Sequence, residues 1–372
     1  MAPHGRQFAD RPWRAVSEGD FALRRACNAL AGHPHDALML RACYNCLYSH
    51  CCLFMKTYYL LRIASALSRF VPARLGYWLA SLAGGVVFYL APSVRQAVMD
   101  NMRHVLPGST PHQRRNLARK VIRNQLKNYY DVVRLPHMKP DDVRHMLASI
   151  EGLEHLEAGM KAGKGMLVTG GHIGNFSVVA QIAVVLGYQA GIVAEDIKPE
   201  KLYQYINELR GRFGVQMIRV GSAQVRTIFK FLRSGGVLML AGDRDVSDNG
   251  MAVQFFDGLA DLPSGPVVLS LRMKVPLLPC FTYRLPNNKS VLIIYPPLEW
   301  ETTGDQDLDV EVNMRKLVRV LEDFVRRAPD QWVVLQRVWD KDYTAPRDDN
   351  PAGADTPPQM EDEQPVPALA ER

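Results

Sequence analysis

The 372-residue sequence has too few cysteines for a disulfide scaffold, six in all. Four of them, Cys43, Cys46, Cys51 and Cys52, crowd together with His50. A Cys-x-x-Cys pair beside a histidine leaves two interpretations open, a structural zinc site or reduced thiols. No second pair with zinc-ligand spacing follows, so the sequence favours reduced thiols and predicts no bound metal.

Other absences exclude enzyme classes. No Gly-x-Ser-x-Gly sequence occurs, which argues against an α/β-hydrolase. Residues 159–165, "GMKAGKG", are one residue short of a phosphate-binding P-loop and lack the Ser or Thr after its lysine. Residues 1–36 are polar and irregular, without the apolar stretch of a secretory signal. We expect residues 1–52 to be a poorly ordered N-terminal extension.

The charge is unevenly distributed. The chain carries a net charge of +7, yet residues 342–372 hold eight acids against two arginines, which leaves about +13 on residues 1–341. The high positive charge of residues 1–341 favours an anionic partner, and an anionic membrane surface fits best. Nucleic acid is not favoured, because the basic segment borders an apolar one rather than a recognition helix. The tail, residues 342–372, is rich in proline and acids and is predicted to be disordered.

Charge is missing altogether from Leu75 to Val94, a run of 20 residues. As a helix this run would be about 30 Å long, at the threshold for spanning a bilayer. Its glycines and Pro92 weaken a span, and its aromatic residues suit a membrane interface. We predict that residues 53–135 form a membrane-associating helical region, with surface insertion favoured over a single span. A buried core helix is the other alternative.

Short apolar runs alternate with helical patterns further along the chain. The runs that resemble strands are 166–169, 190–194, 215–220, 237–241, 276–283 and 291–297. The helical stretches are 175–186, 199–212, 222–233, 264–273 and 308–327. This alternation predicts an α/β catalytic domain over 136–341, built on a mainly parallel sheet flanked by helices.

The stretch "TGGHIGNFS" places His172 directly after the first of these strands, where open α/β sheets bind ligands. The glycines, among them Gly174, keep the backbone accessible, and a helix from about Asn175 offers free N–H groups. A neutral imidazole takes a proton from a hydroxyl at physiological pH. The stretch therefore predicts a general base at His172, beside N–H groups that stabilise an oxyanion.

The stretch "DRDVSDNG" invites a metal interpretation. Asp243-x-Asp245 resembles the Asp-x-Asp motif of metal-dependent glycosyltransferases, which leaves that enzyme class open. A calcium loop is excluded, because Asp248 stands where glycine is needed and Gln254 where a bidentate acid is needed.

Four motifs in order carry a resemblance. "GGHIGNFS", "VAEDIKPEKLY", "LAGDRDVSDNG" and "APDQWVVLQRVWD" are similar to those of the bacterial lipid A acyltransferases, a branch of the lysophospholipid acyltransferase superfamily. The similarity runs from about Tyr58 to Trp339. "AEDIKPEKLY" and "DRDVS" look most like the phosphatidylinositol mannoside acyltransferases within that group.

The resemblance implies a glycerol-3-phosphate acyltransferase-like mixed sheet flanked by helices. It implies an acyl-CoA or acyl-carrier-protein donor as co-substrate, a membrane glycolipid or phospholipid acceptor, and no cofactor. It also implies a place on the cytoplasmic face of the inner membrane. His172 would deprotonate the acceptor hydroxyl, which attacks the thioester directly.

Further site residues follow from this comparison. Asp243 and Arg244 would line the substrate site, with Arg244 a candidate for binding a phosphate or headgroup. The loop residues Gly174 and Asn175 would bind substrate beside the base. A proline-containing helix start places Ser264 and Gly265 where they would face the acceptor.

One position departs from the family pattern, which is histidine, four residues, and then an acid that orients the imidazole. That place is Ser177. A hydroxyl accepts the ring N–H but stabilises an imidazolium less well than a carboxylate. Three alternatives stay open: Ser177 orients a weaker base, a carboxylate from elsewhere (Glu195 being the best candidate) replaces the acid, or the protein is a catalytically impaired lipid-binding homologue.

Overall fold

The computed structural model describes residues 57–246 and 249–339. The predictions for residues 1–52, including the cysteine cluster, and for the tail 342–372 lie outside these residues.

The N-terminal part of the described chain is helical. Helix α4 begins at a capping box, in which Thr110 Oγ1 accepts from the Gln113 N–H and the Gln113 side chain accepts from the Thr110 N–H. The helices of this part are α1 (57–68), α2 (Ala73–Leu90), α3 (Pro92–Val105), α4 (Pro111–Arg134) and α5 (Pro140–His145).

Helix α2 lies directly against α4, and glycine makes this approach possible. A Cβ added at Gly76 would come within 1.9 Å of the Tyr130 ring, and one at Gly84 within 2.6 Å of the Arg123 Cα. Glycine has a low helix propensity, but at these two positions it allows α2 to pack closely against α4.

The remaining residues form a mixed α/β structure, as predicted, with a sheet of seven strands in the order β1-β9-β8-β2-β5-β3-β4. All neighbouring strands are parallel except β8 and β9. The strands are β1 (Leu147–Glu151), β2 (Met166–Gly170), β3 (Ala190–Ala194), β4 (Gln216–Arg219), β5 (Val237–Ala241), β6 (Met251–Phe255), β7 (Gly258–Leu262), β8 (Leu277–Arg284) and β9 (Ser290–Ile294).

Helices flank this sheet. They are α6 (Leu153–Lys161), α7 (Phe176–Val185), α8 (Glu200–Arg210), α9 (Val225–Arg233), α10 (Gly265–Met273) and α11 (Gln306–Arg327). All six predicted strands and all five predicted helices of this region are confirmed, whereas the domain boundary at 135/136 stays a prediction.

Strand β1 and the β6–β7 hairpin were not predicted. Strand β1 is the edge strand, and its residues are exposed or half-buried, so it lacks the apolar run on which the prediction depended. Within the described part of the chain, strands β6 and β7 pair only with each other. The hairpin packs on the long helix α11, where Phe255, Phe281, Phe324 and Trp332 belong to one buried cluster.

Candidate active site

The register of two central strands sets the site. Strands β2 and β5 are parallel neighbours in which Gly170 lies opposite Ala241, the last residue of each strand. His172 follows β2 by two residues, and Asp243 follows β5 by two residues. The strands therefore deliver both side chains to the same point at the carboxyl edge of the sheet.

Asp243 is fully buried and receives three hydrogen bonds. Its Oδ1 lies 2.8 Å from His172 Nδ1, its Oδ2 accepts from the His172 backbone N–H at 2.7 Å, and the Trp332 indole N–H donates to the same Oδ2 at 2.8 Å. A Cβ at Gly171 would lie 3.0 Å from Asp243 Oδ2, so glycine there leaves room for the carboxylate. The carboxylate is thus held in place from both sides.

Opposing effects act on the pKa of Asp243. Burial alone raises the pKa of this carboxyl. The charge of His172, the two hydrogen bonds from His172 and the bond from Trp332 together lower the pKa by more than burial raises it. The net result is a pKa below the ordinary value, so Asp243 is an anion at neutral pH.

The imidazole of His172 is buried on one side and open on the other. An imidazole that donates Nδ1–H to a carboxylate carries its lone pair on Nε2. The Phe176 ring packs edge-on against it, with the ring centroids 4.7 Å apart, and 23% of the His172 side chain stays exposed. Within the described part of the chain, Nε2 makes no hydrogen bond. This nitrogen is available to take a proton from a substrate.

Neighbouring segments fix the backbone of the loop that holds His172. The Val333 N–H donates to the His172 carbonyl at 2.8 Å, and the Gly174 N–H donates to the Gln331 carbonyl at 3.0 Å. Gly174 has a φ of +57°, and a Cβ there would lie 2.1 Å from the Thr282 carbonyl oxygen, so the turn requires glycine.

The structure corrects the expected partner of His172. The sequence had suggested Ser177 or Glu195, and Asp243 occupies this position instead. Glu195 Oε2 accepts from Arg244 Nη2 at 2.5 Å, one strand further along the sheet. Ser177 lies buried in the first turn of α7. Asp243, predicted to line the substrate site, orients the ring.

Asn175 is also placed differently from its prediction. Its side chain is 1% exposed and donates to Asp131 Oδ2 at 3.0 Å, so it holds the loop rather than facing substrate. Gly174 likewise serves the turn. Ser264 and Gly265 begin helix α10, which packs against β2 and β5; their role in substrate binding stays a prediction.

Arg244 lies at the edge of the site. Its Nη1 donates to Gln336, its Nη2 donates to Glu195, and its buried Nε has no partner in the part of the chain that the structure describes. The guanidinium is therefore held in a fixed orientation by two of its five N–H donors, and the second N–H of Nη1 and of Nη2 is compatible with the predicted binding of a phosphate or headgroup.

The metal interpretation of Asp243 and Asp245 finds no support. Both oxygens of Asp243 face N–H donors. Among residues 57–246 and 249–339, no three His, Cys, Asp or Glu side chains gather as a metal site would require. The residues at this sheet edge are suited to proton transfer.

An apolar cavity of about 20 Å³ lies between α7 and the sheet. It is lined by Val168, Val179, Ile182, Met239 and Cys280, among others. Its volume is roughly that of one water molecule. An acyl chain therefore does not fit there without movement of α7 side chains.

Sequence reasoning missed Trp332 and Asp131. Trp332 lies in "APDQWVVLQRVWD", which had been recognised as a motif without any role for the indole. Asp131 sits among basic residues on α4 as a single acid, and its burial is visible only once α2, β8 and the His172 loop close around it.

Known proteins are similar to this chain over most of its length. The sequence model of the family "Bacterial lipid A biosynthesis acyltransferase" matches residues 49–341. A phosphatidylinositol mannoside acyltransferase of Mycobacterium tuberculosis is 26% identical over 275 residues, which cover 68% of this chain and 85% of the relative. The protein of the same name from Mycolicibacterium smegmatis is 26% identical over 265 residues, covering 66% and 84%. The chain belongs to the bacterial lipid A biosynthesis acyltransferase family and is an acyltransferase.

Proposed function

We propose that this protein moves a fatty acyl chain from acyl-CoA or acyl-carrier protein to a hydroxyl of a membrane glycolipid or phospholipid. His172 is the general base in this proposal, and Asp243 orients it. The observation that carries the proposal is the 2.8 Å contact between His172 Nδ1 and a fully buried Asp243 at the carboxyl edge of the sheet.

The proposed reaction uses this geometry. The acceptor hydroxyl passes its proton to His172 Nε2 while its oxygen attacks the thioester carbonyl carbon. Asp243 stabilises the imidazolium that forms. The carbon–sulfur bond then breaks, the thiolate takes the proton back from His172, and an ester and a free thiol are released. Backbone N–H groups in the first turn of α7 stabilise the oxyanion of the intermediate.

A catalytically impaired homologue was an alternative because Ser177 replaces the usual acid. Asp243 supplies the carboxylate from another strand, so the main argument for impairment is removed. The names of the mycobacterial relatives favour a glycolipid acceptor related to phosphatidylinositol mannoside.

A transfer assay tests the proposal. Purified protein is incubated with radiolabelled palmitoyl-CoA, or with palmitoyl-acyl-carrier protein in a parallel arm, and total bacterial lipid extract. We expect one labelled lipid band, which His172→Ala abolishes. Leu308→Ser, an exposed position on α11, is the control and should retain activity. Absence of labelled lipid in both arms would contradict the proposal.

We also propose that helix α2 seats the enzyme on an anionic membrane. It is long and apolar enough to cross a bilayer. Its exposed apolar side chains form a stripe along the helix and are Leu75, Trp78, Leu79, Leu82, Val86, Tyr89 and Leu90. Exposed Leu60, Ile63, Leu67 and Phe70 lie on or just after α1. A monomeric soluble protein rarely exposes so large an apolar surface.

The packing of α2 favours surface insertion over a span. The face opposite the exposed stripe lies against α4, which carries many basic residues, so lipid cannot surround the helix. Arginine and lysine beside an inserted apolar stripe also match the negative charge of the cytoplasmic leaflet.

Vesicle flotation tests this membrane seat. The double variant Trp78→Ser/Leu82→Ser should bind mixed phosphatidylglycerol and phosphatidylcholine vesicles about a hundredfold more weakly, because each side chain contributes about 1.5 kcal/mol of apolar burial. Leu308→Ser, similarly exposed on α11, serves as control and should bind normally. Equal binding of both variants would rule out α2 as the seat.

A further inference from the structure

A single buried carboxylate joins three parts of the fold. Asp131, on α4, is fully buried. Its Oδ1 accepts from the Tyr77 hydroxyl on α2 at 2.5 Å. Its Oδ2 accepts from Arg284 on β8 at 2.6 Å and from the Asn175 side chain at 3.0 Å. The apolar helix is thereby two hydrogen bonds away from the loop that carries His172.

The same network also holds the loop's backbone. Asn128, one turn before Asp131 on α4, donates to the Gly174 carbonyl at 2.7 Å, and its own oxygen accepts from Arg284 at 2.6 Å. Gly174 and Asn175 follow His172 by two and three residues. Side chains of α4 therefore hold the backbone and the side chain of the loop directly after the imidazole.

The chemistry of the network points to positioning. A buried ion pair such as Asp131–Arg284 often stabilises a fold no better than apolar residues of similar volume would. Burial raises the pKa of the Tyr77 hydroxyl far above its ordinary value, so it stays a neutral donor to Asp131 at every pH of interest. Both oxygens of Asp131 accept hydrogen bonds, which favours one geometry for the groups that donate to them, whereas Asn175 Oδ1 and Arg284 Nε have no partner among the described residues.

We propose that Asp131 is a positioning residue that couples the seating of α2 on a bilayer to the geometry of the His172 loop. Tyr77 lies on the buried face of α2, opposite the exposed stripe that contains Trp78 and Leu82. A shift of α2 on binding lipid reaches Asp131 through the Tyr77 hydroxyl, and reaches the loop through Asn175. Acyl transfer is then faster on the vesicle-bound enzyme. This coupling rests on the proposed acyl transfer and membrane seat.

The chain offers a matched pair of variants. Tyr77→Phe removes the hydroxyl that binds Asp131 and leaves the ring. Tyr130→Phe removes a hydroxyl from the same helix interface, where the two rings meet at 5.2 Å between centroids. The Tyr130 hydroxyl is buried and has no hydrogen-bond partner among residues 57–246 and 249–339. The second variant therefore controls for the loss of a phenol oxygen in this interface.

Hydrogen exchange of loop residues 172–177 is the decisive measurement. It is made on the full chain with and without mixed phosphatidylglycerol and phosphatidylcholine vesicles. Vesicles should slow exchange about tenfold in the wild type and in Tyr130→Phe, and less than about twofold in Tyr77→Phe, because the loop then loses its link to α2. Flotation should show equal vesicle binding by all three proteins.

The coupling would be overturned if vesicles slowed hydrogen exchange of the loop equally in all three proteins. It would also be overturned if they did not slow exchange in vesicle-bound wild type. Loss of vesicle binding in Tyr77→Phe would also overturn it, since Tyr77 would then act in the anchor itself. None of these outcomes depends on catalysis, so failure of the coupling and failure of the acyl-transfer proposal are distinguishable.

Kinetics provide the second readout. On vesicles, Tyr77→Phe should lower kcat about tenfold and leave the KM for palmitoyl-CoA unchanged, because the base is displaced while the donor site is intact. Tyr130→Phe should stay within about twofold of wild type. A raised KM with unchanged kcat in Tyr77→Phe would contradict a positioning role for Asp131.

Discussion

Asp243 accepts a hydrogen bond from His172 Nδ1 at 2.8 Å, although the two residues are 71 positions apart. Two adjacent parallel strands bring them together, each ending two residues before the side chain that it delivers. The acid that the family pattern places within the histidine loop is thus supplied by the neighbouring strand.

This relationship predicts which carboxylate variant loses activity. Asp243→Asn should lower kcat for acyl transfer about a hundredfold or more, because the amide neither stabilises an imidazolium nor enforces the correct tautomer. Ser177→Ala and Glu195→Gln should stay within about threefold in kcat, since neither side chain is the partner of His172. The measurement is initial rate with radiolabelled palmitoyl-CoA at saturating donor. Greater loss in Ser177→Ala than in Asp243→Asn would restore the serine as the orienting group.

The indole of Trp332 should matter for turnover as well as for packing. Trp332→Phe removes the N–H that donates to Asp243 Oδ2, and we expect kcat to fall about tenfold, the loss of one hydrogen bond to a charged group. Trp300→Phe is the matched control, because its indole N–H donates to the Ser270 hydroxyl instead. Its kcat should change by less than about twofold. Equal losses of kcat in both variants would point to general destabilisation.

The depressed pKa of Asp243 makes a prediction about pH. A carboxyl whose pKa is lowered by folding contributes stability above its unfolded pKa, about 3.9, and loses it as pH falls through the folded value. Asp243 therefore stays charged throughout the neutral range, and the acid limb of kcat/KM must come from another group. The measurement is the pH dependence of kcat/KM, in which we expect no contribution of Asp243 to the acid limb in the neutral range. A midpoint near pH 4, with the fold intact by circular dichroism, would show that a carboxylate is titrating.

The contact between α2 and α4 predicts an intolerant glycine. Replacing glycine by alanine within a helix normally stabilises it by about 1 kcal/mol. At Gly84 the new Cβ would lie 2.6 Å from the Arg123 Cα. This is a backbone atom, so a change of side-chain rotamer cannot relieve the clash. We expect Gly84→Ala to lower Tm by several degrees and to separate α2 from α4.

Gly108→Ala serves as the control, because no atom lies within 4 Å of the added Cβ. It should leave Tm within about one degree of wild type. Thermal unfolding followed by circular dichroism compares the two variants, and an unchanged Tm in Gly84→Ala would mean that α2 does not lie against α4.

Much of the fold follows from local patterns. Apolar runs such as 237–241 and helical periodicity such as that of 308–327 predicted the elements that the structure contains. Strand β1 could not be predicted in this way, because it has no apolar pattern. Its residues form a strand by pairing with β9. The hairpin β6–β7 likewise depends on packing against α11.

The candidate site was also only partly predictable from local sequence. By itself the sequence determined that His172, Glu195 and Asp243 each follow a strand, and therefore lie at one edge of a parallel sheet. Only the tertiary structure decided which carboxylate meets the imidazole. Glu195 follows the next strand in sequence at the same end of the sheet, and the resemblance of its motif to the mannoside acyltransferases favoured it. Strand β5 instead lies between β2 and β3. The order of strands is set by packing of their side chains against helices from distant parts of the chain, and local sequence does not encode it.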